Sequence, residues 1–384
     1  MKSFINILIL ISIILSMLAC TATDTNDRPQ AELIISGYDD KLNDIPNIVS
    51  HIDVICLEET ENSLLASIQK VERVDSIYIV WDDKTGIHCF NEHGKFLNNI
   101  SHRGEAYDEY LKINTFIVDS EKNILIFDDV LHKIFKFKLD GTYVSSQKLD
   151  TNSLLWMQNG AYLSEKELFQ VNYIFNDFND IYTLLFVDDG RKDLIHKTQL
   201  RTNNVAQPIG NHSISALNGQ IKYILPYDNL VYSIDSTKVP KALYELATEK
   251  KLVQKKILSQ VEDYSIMTSV DFMDKGYFQG FTNIIETNRH MLLTFYNSDY
   301  FLIDKQTNIG NRFETFVTKD TEFMPLMGVI SSFNDCFIGV LSHYEIESLL
   351  DIDSDKDENL MSLKKTLTNY SSDSNPILVV YKLK

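Results

Sequence analysis

Two stretches of the chain nearly repeat each other. "WDDKTGIHCFNEHGKFL" runs from Trp81 to Leu97, and "FDDVLHKIFKFKLDGTYV" from Phe127 to Val144. Each opens on an aromatic and an Asp-Asp pair, passes through an apolar alternation, and turns at a Gly with an aromatic two residues on. Phe90 aligns with Phe137 and Gly94 with Gly141, 47 residues apart. A fixed period of this size is the mark of a repeat architecture. One repeat of this kind cannot bury both of its faces, so several must stack.

The units themselves read as strands. "SIYIVWD" and "NILIFDD" are short, β-branched and aromatic, and both end in Asp, a residue that caps strand ends and turns. The glycines at positions 94 and 141 supply the positive φ of a tight hairpin. Each unit is then a β-meander of the size of a propeller blade. Weaker turn signals continue the rhythm at Asn159-Gly160, Asp189-Gly190, Pro226 to Asn229, and Asn334-Asp335. From about residue 48 onward the period allows about seven units. "HYEIESLL" and "ENLMSLKKTL" have helical spacing instead, with Leu360, Leu363 and Leu367 on one face, which lowers the expected count to six. The closing "ILVVYKLK" reads as a strand, and the early "NIVSHIDVICLEE" as its partner across the seam of a ring. The expected fold is all-β: a six-bladed β-propeller over residues 46–384, with a short helical insertion near the C-terminus.

The first residues are a separate matter. "MKSFINILILISIILSMLAC" carries Lys2 and then an apolar run from Phe4 to Ala19, short for a membrane span of about 20 apolar residues. Its basic, apolar, small-residue layout is that of a secretory signal. The ending "SMLAC" resembles a bacterial lipobox, with Met17 where Leu is commoner. That resemblance implies a signal peptide over 1–19, cleavage before Cys20 and lipid on its sulfur, with residues 20–45 as a flexible tether. Losing Lys2 would make the formal charge of −18 one unit more negative. Nucleic acid as a partner and close adsorption to anionic lipid are both disfavoured. Cys56, Cys89 and Cys336 sit among apolar residues and read as buried thiols; spacing alone fixes no disulfide.

Across nearly its whole mature length the chain resembles the six-bladed β-propeller lipoproteins of Gram-negative gut-type bacteria, relatives in shape of NHL-repeat propellers. The stretches that carry the resemblance are "ICLEETENSLLASIQKVERVDSIYIVWD", "GKFLNNISHRGEAYDEYLKINTFIVD", "ILPYDNLVYSID" and "NPILVVYKLK". Where that family has a "GRGPGEY" loop, this chain has "SHRGEAYDEY": Arg103, Gly104, Glu109 and Tyr110 match, and the Gly-Pro pair is missing. The resemblance implies an outer-membrane lipoprotein of the cell envelope, on either its periplasmic or its surface side. It implies no activity, because the family has no settled biochemical role.

Candidate chemistry is sparse. "DIDSDKDENLMS" places Asp351, Asp353 and Asp355 as a calcium loop would, but Lys356 stands where Gly is needed and Ser362 where a bidentate Glu is needed, so it reads as a solvated acidic loop. No nucleophile elbow and no "HExxH" motif is present, and neither a metal nor a cofactor is expected. The loop "SHRGEAYDEY" concentrates Arg103, Glu105, Tyr107, Glu109 and Tyr110 between the two most regular units. Arg103 suits a carboxylate or sulfate, and Tyr107 or Tyr110 the face of a sugar; the competing reading pairs Arg103 with Glu109 and packs Tyr110. The expected function is a lipid-anchored binding or scaffold module for a glycan, peptide or protein partner. The alternative is a carbohydrate-active lyase or hydrolase using channel carboxylates and Tyr.

Overall fold

The structure, a computed structural model, describes residues 29–38, 47–100, 102–148, 212–225, 227–237, 239–252, 272, 274–295, 299–315, 317–353, 356–367, 370–371 and 374–384, together with the backbone of four strands between 157 and 198. The signal segment 1–19, Cys20, most of the tether, the Asp189-Gly190 turn, Pro226, Ser101 and Asp355 lie outside the described residues.

In chain order the first strands are β1 (Leu33–Ile35) and β2 (Val49–Cys56). The repeat follows as two meanders. The first is β3 (Ile68–Val74), β4 (Ile77–Asp82), β5 (Gly86–Asn91) and β6 (Phe96–Ile100). The second is β7 (Thr115–Val118), β8 (Ile124–Asp128), β9 (Lys133–Phe137) and β10 (Tyr143–Lys148). Next come β11 (Met157–Ser164), β12 (Glu167–Asn176), β13 (Asp180–Asp188) and β14 (Arg191–Thr198), and then β15 (Ile214–Leu217), β16 (Gln220–Ile224), β17 (Leu230–Ile234) and β18 (Lys241–Leu246). A short parallel pair, β19 (Lys251–Leu252) and β20 (Tyr277–Phe278), leads to β21 (Phe281–Glu286), β22 (His290–Phe295), β23 (Tyr300–Asp304) and β24 (Ile309–Phe313). The last elements are β25 (Val329–Phe333), β26 (Cys336–Leu341), α1 (His343–Leu350), α2 (Glu358–Thr366) and β27 (Ile377–Leu383).

Among the described residues, five sheets are four-stranded antiparallel blades. The unit β15–β18 differs. There β1 lies parallel to β18, with Leu33 opposite Tyr244, and makes a five-stranded sheet. The expectation of a six-bladed propeller is therefore corrected to five four-stranded blades, with β15–β18 and β1 forming a five-stranded sheet instead. The physical reason is an edge: β18 would otherwise end its sheet with unpaired backbone groups, and β1 covers them. The closing blade has the order β2-β27-β26-β25. The chain's last strand is thus interior, paired through Val54 to Val379 on one side and Ile338 to Val380 on the other.

The repeat motif now has a mechanical explanation. Asp82 Oδ2 accepts from the amides of Ala66 and Ser67 ahead of β3, while its Oδ1 accepts from Lys84 and Thr85 in the β4–β5 turn. Asp128 repeats this one unit later with Leu111 and Lys112 on one oxygen and Val130 and Leu131 on the other. Each buried carboxylate ties the loop leading into a blade to that blade's central hairpin. These amide bonds hold the Asp82 carboxyl below its usual range against the opposing effect of burial, which is the largest single influence.

Faces of neighbouring sheets build the core. Ile79, Trp81 and Cys89 pack with Phe116, Ile126 and Phe135 between the first two repeats. Leu378 and Ile338 pack with Val71, Val80 and Phe90 between the closing blade and the first. On the other face of β27, Val379 and Tyr381 join Leu292, Leu302 and Phe313. The expected helical face is present: Leu360, Leu363 and Leu367 are buried in that same cluster. Asp357 caps α2 through the amides of Asn359 and Leu360, and its other oxygen accepts from Met324. Of the three thiols expected to be buried, only Cys89 is. Burial pushes it up to about 12. Cys336 is half-buried, and Cys56, at the end of edge strand β2, is exposed; all three are free.

Candidate functional site

The loop singled out from sequence connects the first two blades. It is held by a parallel bridge between Arg103 and Tyr110, in which the Gly104 amide donates to the Tyr110 carbonyl and the Tyr110 amide to that of His102, both at 2.9 Å. Tyr110 is buried. Its hydroxyl donates to the Ile100 carbonyl at 2.7 Å, and burial raises its pKa. Glu109 does not pair with Arg103. Its Oε2 accepts from the Ala106 amide and fills the space beside Gly104, where a Cβ would come within 1.9 Å of that oxygen. Tyr107 is 74% exposed and meets Tyr143 edge-on at 5.5 Å. Glu105 is exposed.

Arg103 and Tyr110 line a cleft of about 500 Å³ with Trp81, Asp83, Lys84 and Lys112. Two of its cations are paired: Lys84 with Asp83 at 3.0 Å and Lys112 with Asp129 at 3.4 Å. Arg103 donates its Nε to the Leu111 carbonyl at 3.2 Å, and among the described residues no carboxylate forms an ion pair with it. The structure therefore places Arg103 and Tyr110 on one cleft and Tyr107 on the loop's exposed surface, and turns Glu109 inward as a brace.

A second polar site was not foreseen. A cavity of about 270 Å³ is lined by His212 and by residues of β3, β7, β11, β15, β21 and β25, each an edge strand of its sheet. Its ionisable residues are Lys70, Glu72, His212 and Glu286. The side chain of Glu286, at the end of β21, is fully buried. Its Oε1 receives Lys222 Nζ at 2.6 Å and Lys305 Nζ at 2.5 Å, while Oε2 has no partner among the described residues. Ser332 Oγ donates to the Glu286 carbonyl at 2.7 Å. Opposite in sign, Lys70 Nζ lies 3.1 Å from Glu72 and donates to the Phe116 carbonyl at 2.8 Å. His212 Nε2 is likewise buried and unpartnered among the described residues. Burial, with the Lys70 charge adding to it, pushes His212 down to about 3, so the ring is neutral at physiological pH.

The sequence did hold a signal for this second site. Lys222 in "QIKYIL" is a lone cation inside a strand, between Ile221 and Tyr223. A lysine so placed needs a buried partner, because burying an unpaired charge is prohibitive.

Sheets stacked round an axial cavity lined by one edge strand of each define a β-propeller. The chain belongs to the DUF4934 family, a domain of unknown function, whose profile matches residues 36–382. Among solved structures it is similar to a Bacteroides fragilis protein described as exported, at 15% identity and a TM-score of 0.71, over 92% of this chain and 99% of that one. It is also similar to a DUF4221-family member from Bacteroides vulgatus, at 10% identity and a TM-score of 0.55, over 90% and 99%. At such identities the likeness is one of fold. No curated protein matches the sequence.

Proposed function

We propose that this chain is a cell-envelope binding or scaffold module, anchored through lipid on Cys20, which takes a carboxylate- or sulfate-bearing glycan, peptide or protein partner at the Arg103 cleft. The observation that carries the reading is Arg103 itself: a guanidinium on a cleft of about 500 Å³, without an ion-pair partner among the described residues. A planar fork of this kind recognises carboxylate and sulfate in two-point fashion, and exposed Tyr107 presents an aromatic face on the same loop. The signal layout of residues 1–19 and the likeness to a protein described as exported support a place outside the cytoplasm.

The channel also brings Glu72, Glu286 and His212 together, the feature that a lyase or hydrolase would need. Binding is nevertheless the better reading. A general base works best with a pKa near the operating pH, and His212 is pushed far below it.

The test uses full-length protein in detergent against sulfated and uronic-acid glycans and acidic peptides. Arg103→Ala is expected to weaken binding about tenfold or more, the effect of losing about 1.5–3 kcal/mol of a charge-assisted contact, with the melt unchanged. Tyr110→Phe, which removes the bond to Ile100, is expected to lower the melt and leave affinity nearly intact. Unchanged affinity in Arg103→Ala would sink the cleft as the site. The anchor has its own test. Cys20→Ala is expected to abolish fatty-acid labelling and partition into the aqueous phase, and a variant that stays labelled refutes the lipobox reading.

A further inference from the structure

We infer that the axial cavity is a second ligand site, and that it takes a small neutral molecule presenting hydroxyl or amide donors. Two observations carry this inference. The first is a pair of unsatisfied polar atoms: the acceptor Glu286 Oε2 and the ring nitrogen His212 Nε2 are both buried, both belong to residues lining the cavity, and both lack a partner among the described residues. Buried polar atoms of a native fold are nearly always satisfied, so a pair of orphans on one cavity calls for a donor-bearing occupant. The second is volume. About 270 Å³ corresponds to about nine water molecules at roughly 30 Å³ each, more than one bridging water explains and close to a monosaccharide.

The charges decide the ligand's class. Glu286 already faces two ammonium groups, and Lys70 already faces Glu72. A cationic ligand at Oε2 would meet Lys222 and Lys305 behind the same carboxylate. An anionic ligand would meet the carboxylate oxygen itself. A neutral donor meets neither penalty and gains a charge-assisted hydrogen bond. The serines lining the cavity, Ser215, Ser331 and Ser332, add hydroxyls that serve a polyol. This site shares no lining residue with the Arg103 cleft, so the two stand or fall separately.

The experiment is saturation-transfer NMR and calorimetry on the full chain in detergent. The probes are glucose, galactose, mannose, N-acetylglucosamine and myo-inositol, with glucosamine and glucuronate as the charged counterparts. At least one neutral probe is expected to bind saturably, and its charged counterpart at least tenfold more weakly. Glu286→Gln is expected to weaken that binding about tenfold. Because this change also strands two lysines, Ala216→Phe provides an independent arm: Ala216 is exposed and lines the cavity, so the ring fills it without disturbing the core. It is expected to abolish binding and leave the melt unchanged, while Arg103→Ala leaves binding intact. Failure of every neutral probe to bind, tightest binding by a charged probe, binding that survives Ala216→Phe, or binding lost with Arg103→Ala would each overturn the inference.

Discussion

Leu378 sits on the one strand where the ring closes, and Leu378→Ala tests whether that closure holds the whole fold. Its side chain is fully buried between the closing blade and the first, against Ile55, Val71, Val80 and Phe90. The change removes three carbons, about 2.4 kcal/mol at about 0.8 kcal/mol per carbon. A cavity term adds to this, because β27 is pinned by ladders to both β2 and β26 and cannot slide inward. The expected loss is about 3–5 kcal/mol, or about a hundredfold to several thousandfold in the folding equilibrium. Met361→Ala, on the exposed side of α2 at 40% exposure, is the control and should cost under about 0.5 kcal/mol. The assay is urea unfolding followed both by circular dichroism and by the fluorescence of Trp81 in a Trp156→Phe background. Trp81 lies on the first repeat, facing away from the closing blade, so both signals should move together to lower urea. A loss below about 1 kcal/mol, or a Trp81 transition that stays in place while the other shifts, would refute closure as the common support.

Two further outcomes are expected. Gly94 has φ +79°, and a Cβ there would lie 2.1 Å from the Cys56 carbonyl oxygen, whereas Gly219, at φ +72°, has open space around it. Gly219→Ala should cost only the left-handed strain of about 1–2 kcal/mol, and Gly94→Ala clearly more; equal melts would refute the contact. For His212, the folded-state value near 3 lies below the unfolded value near 6.5. The stability it contributes is therefore complete above pH about 6.5 and is lost as pH falls toward about 3, by up to about 1.4 kcal/mol per pH unit. His212→Asn should flatten that part of the stability–pH curve measured by urea melts. An unchanged slope would mean the ring is not held neutral.

The sequence disclosed the fold through residues whose roles are local. Asp82 and Asp128 bond amides within about 17 residues of themselves, and Gly94 and Gly141 turn a hairpin of their own unit, so a repeat detector sees both. The pairing of β2 with β27 was legible too, because both ends of the chain carried an unpartnered apolar strand. What stayed hidden depended on partners far away in the chain. Three residues, Leu33 to Ile35, are too few to announce a strand, and their place beside β18 is set by an edge needing cover. The axial site was harder to read for the same reason: Lys222 stood out as a cation within an apolar strand, but its partner Glu286 is 64 residues away and carries no motif. The loop "SHRGEAYDEY" advertised its composition, yet Glu109 and Tyr110 spend theirs on bracing the backbone.

The position of β27 has a consequence for biogenesis. It lies between β2 and β26, so the first strand of the closing blade waits for a partner far later in the chain before it can pair at all. On the ribosome, β2 remains a single exposed strand while the intervening units form their local meanders. Ring closure is then a late step of high contact order, slow by nature, and a nascent chain interrupted before Ile377 is left with an open seam and two hungry edges. Chaperones that meet the unfinished chain should recognise those edges, and a release-arrested nascent chain ending before Ile377 should crosslink to them where the finished protein does not.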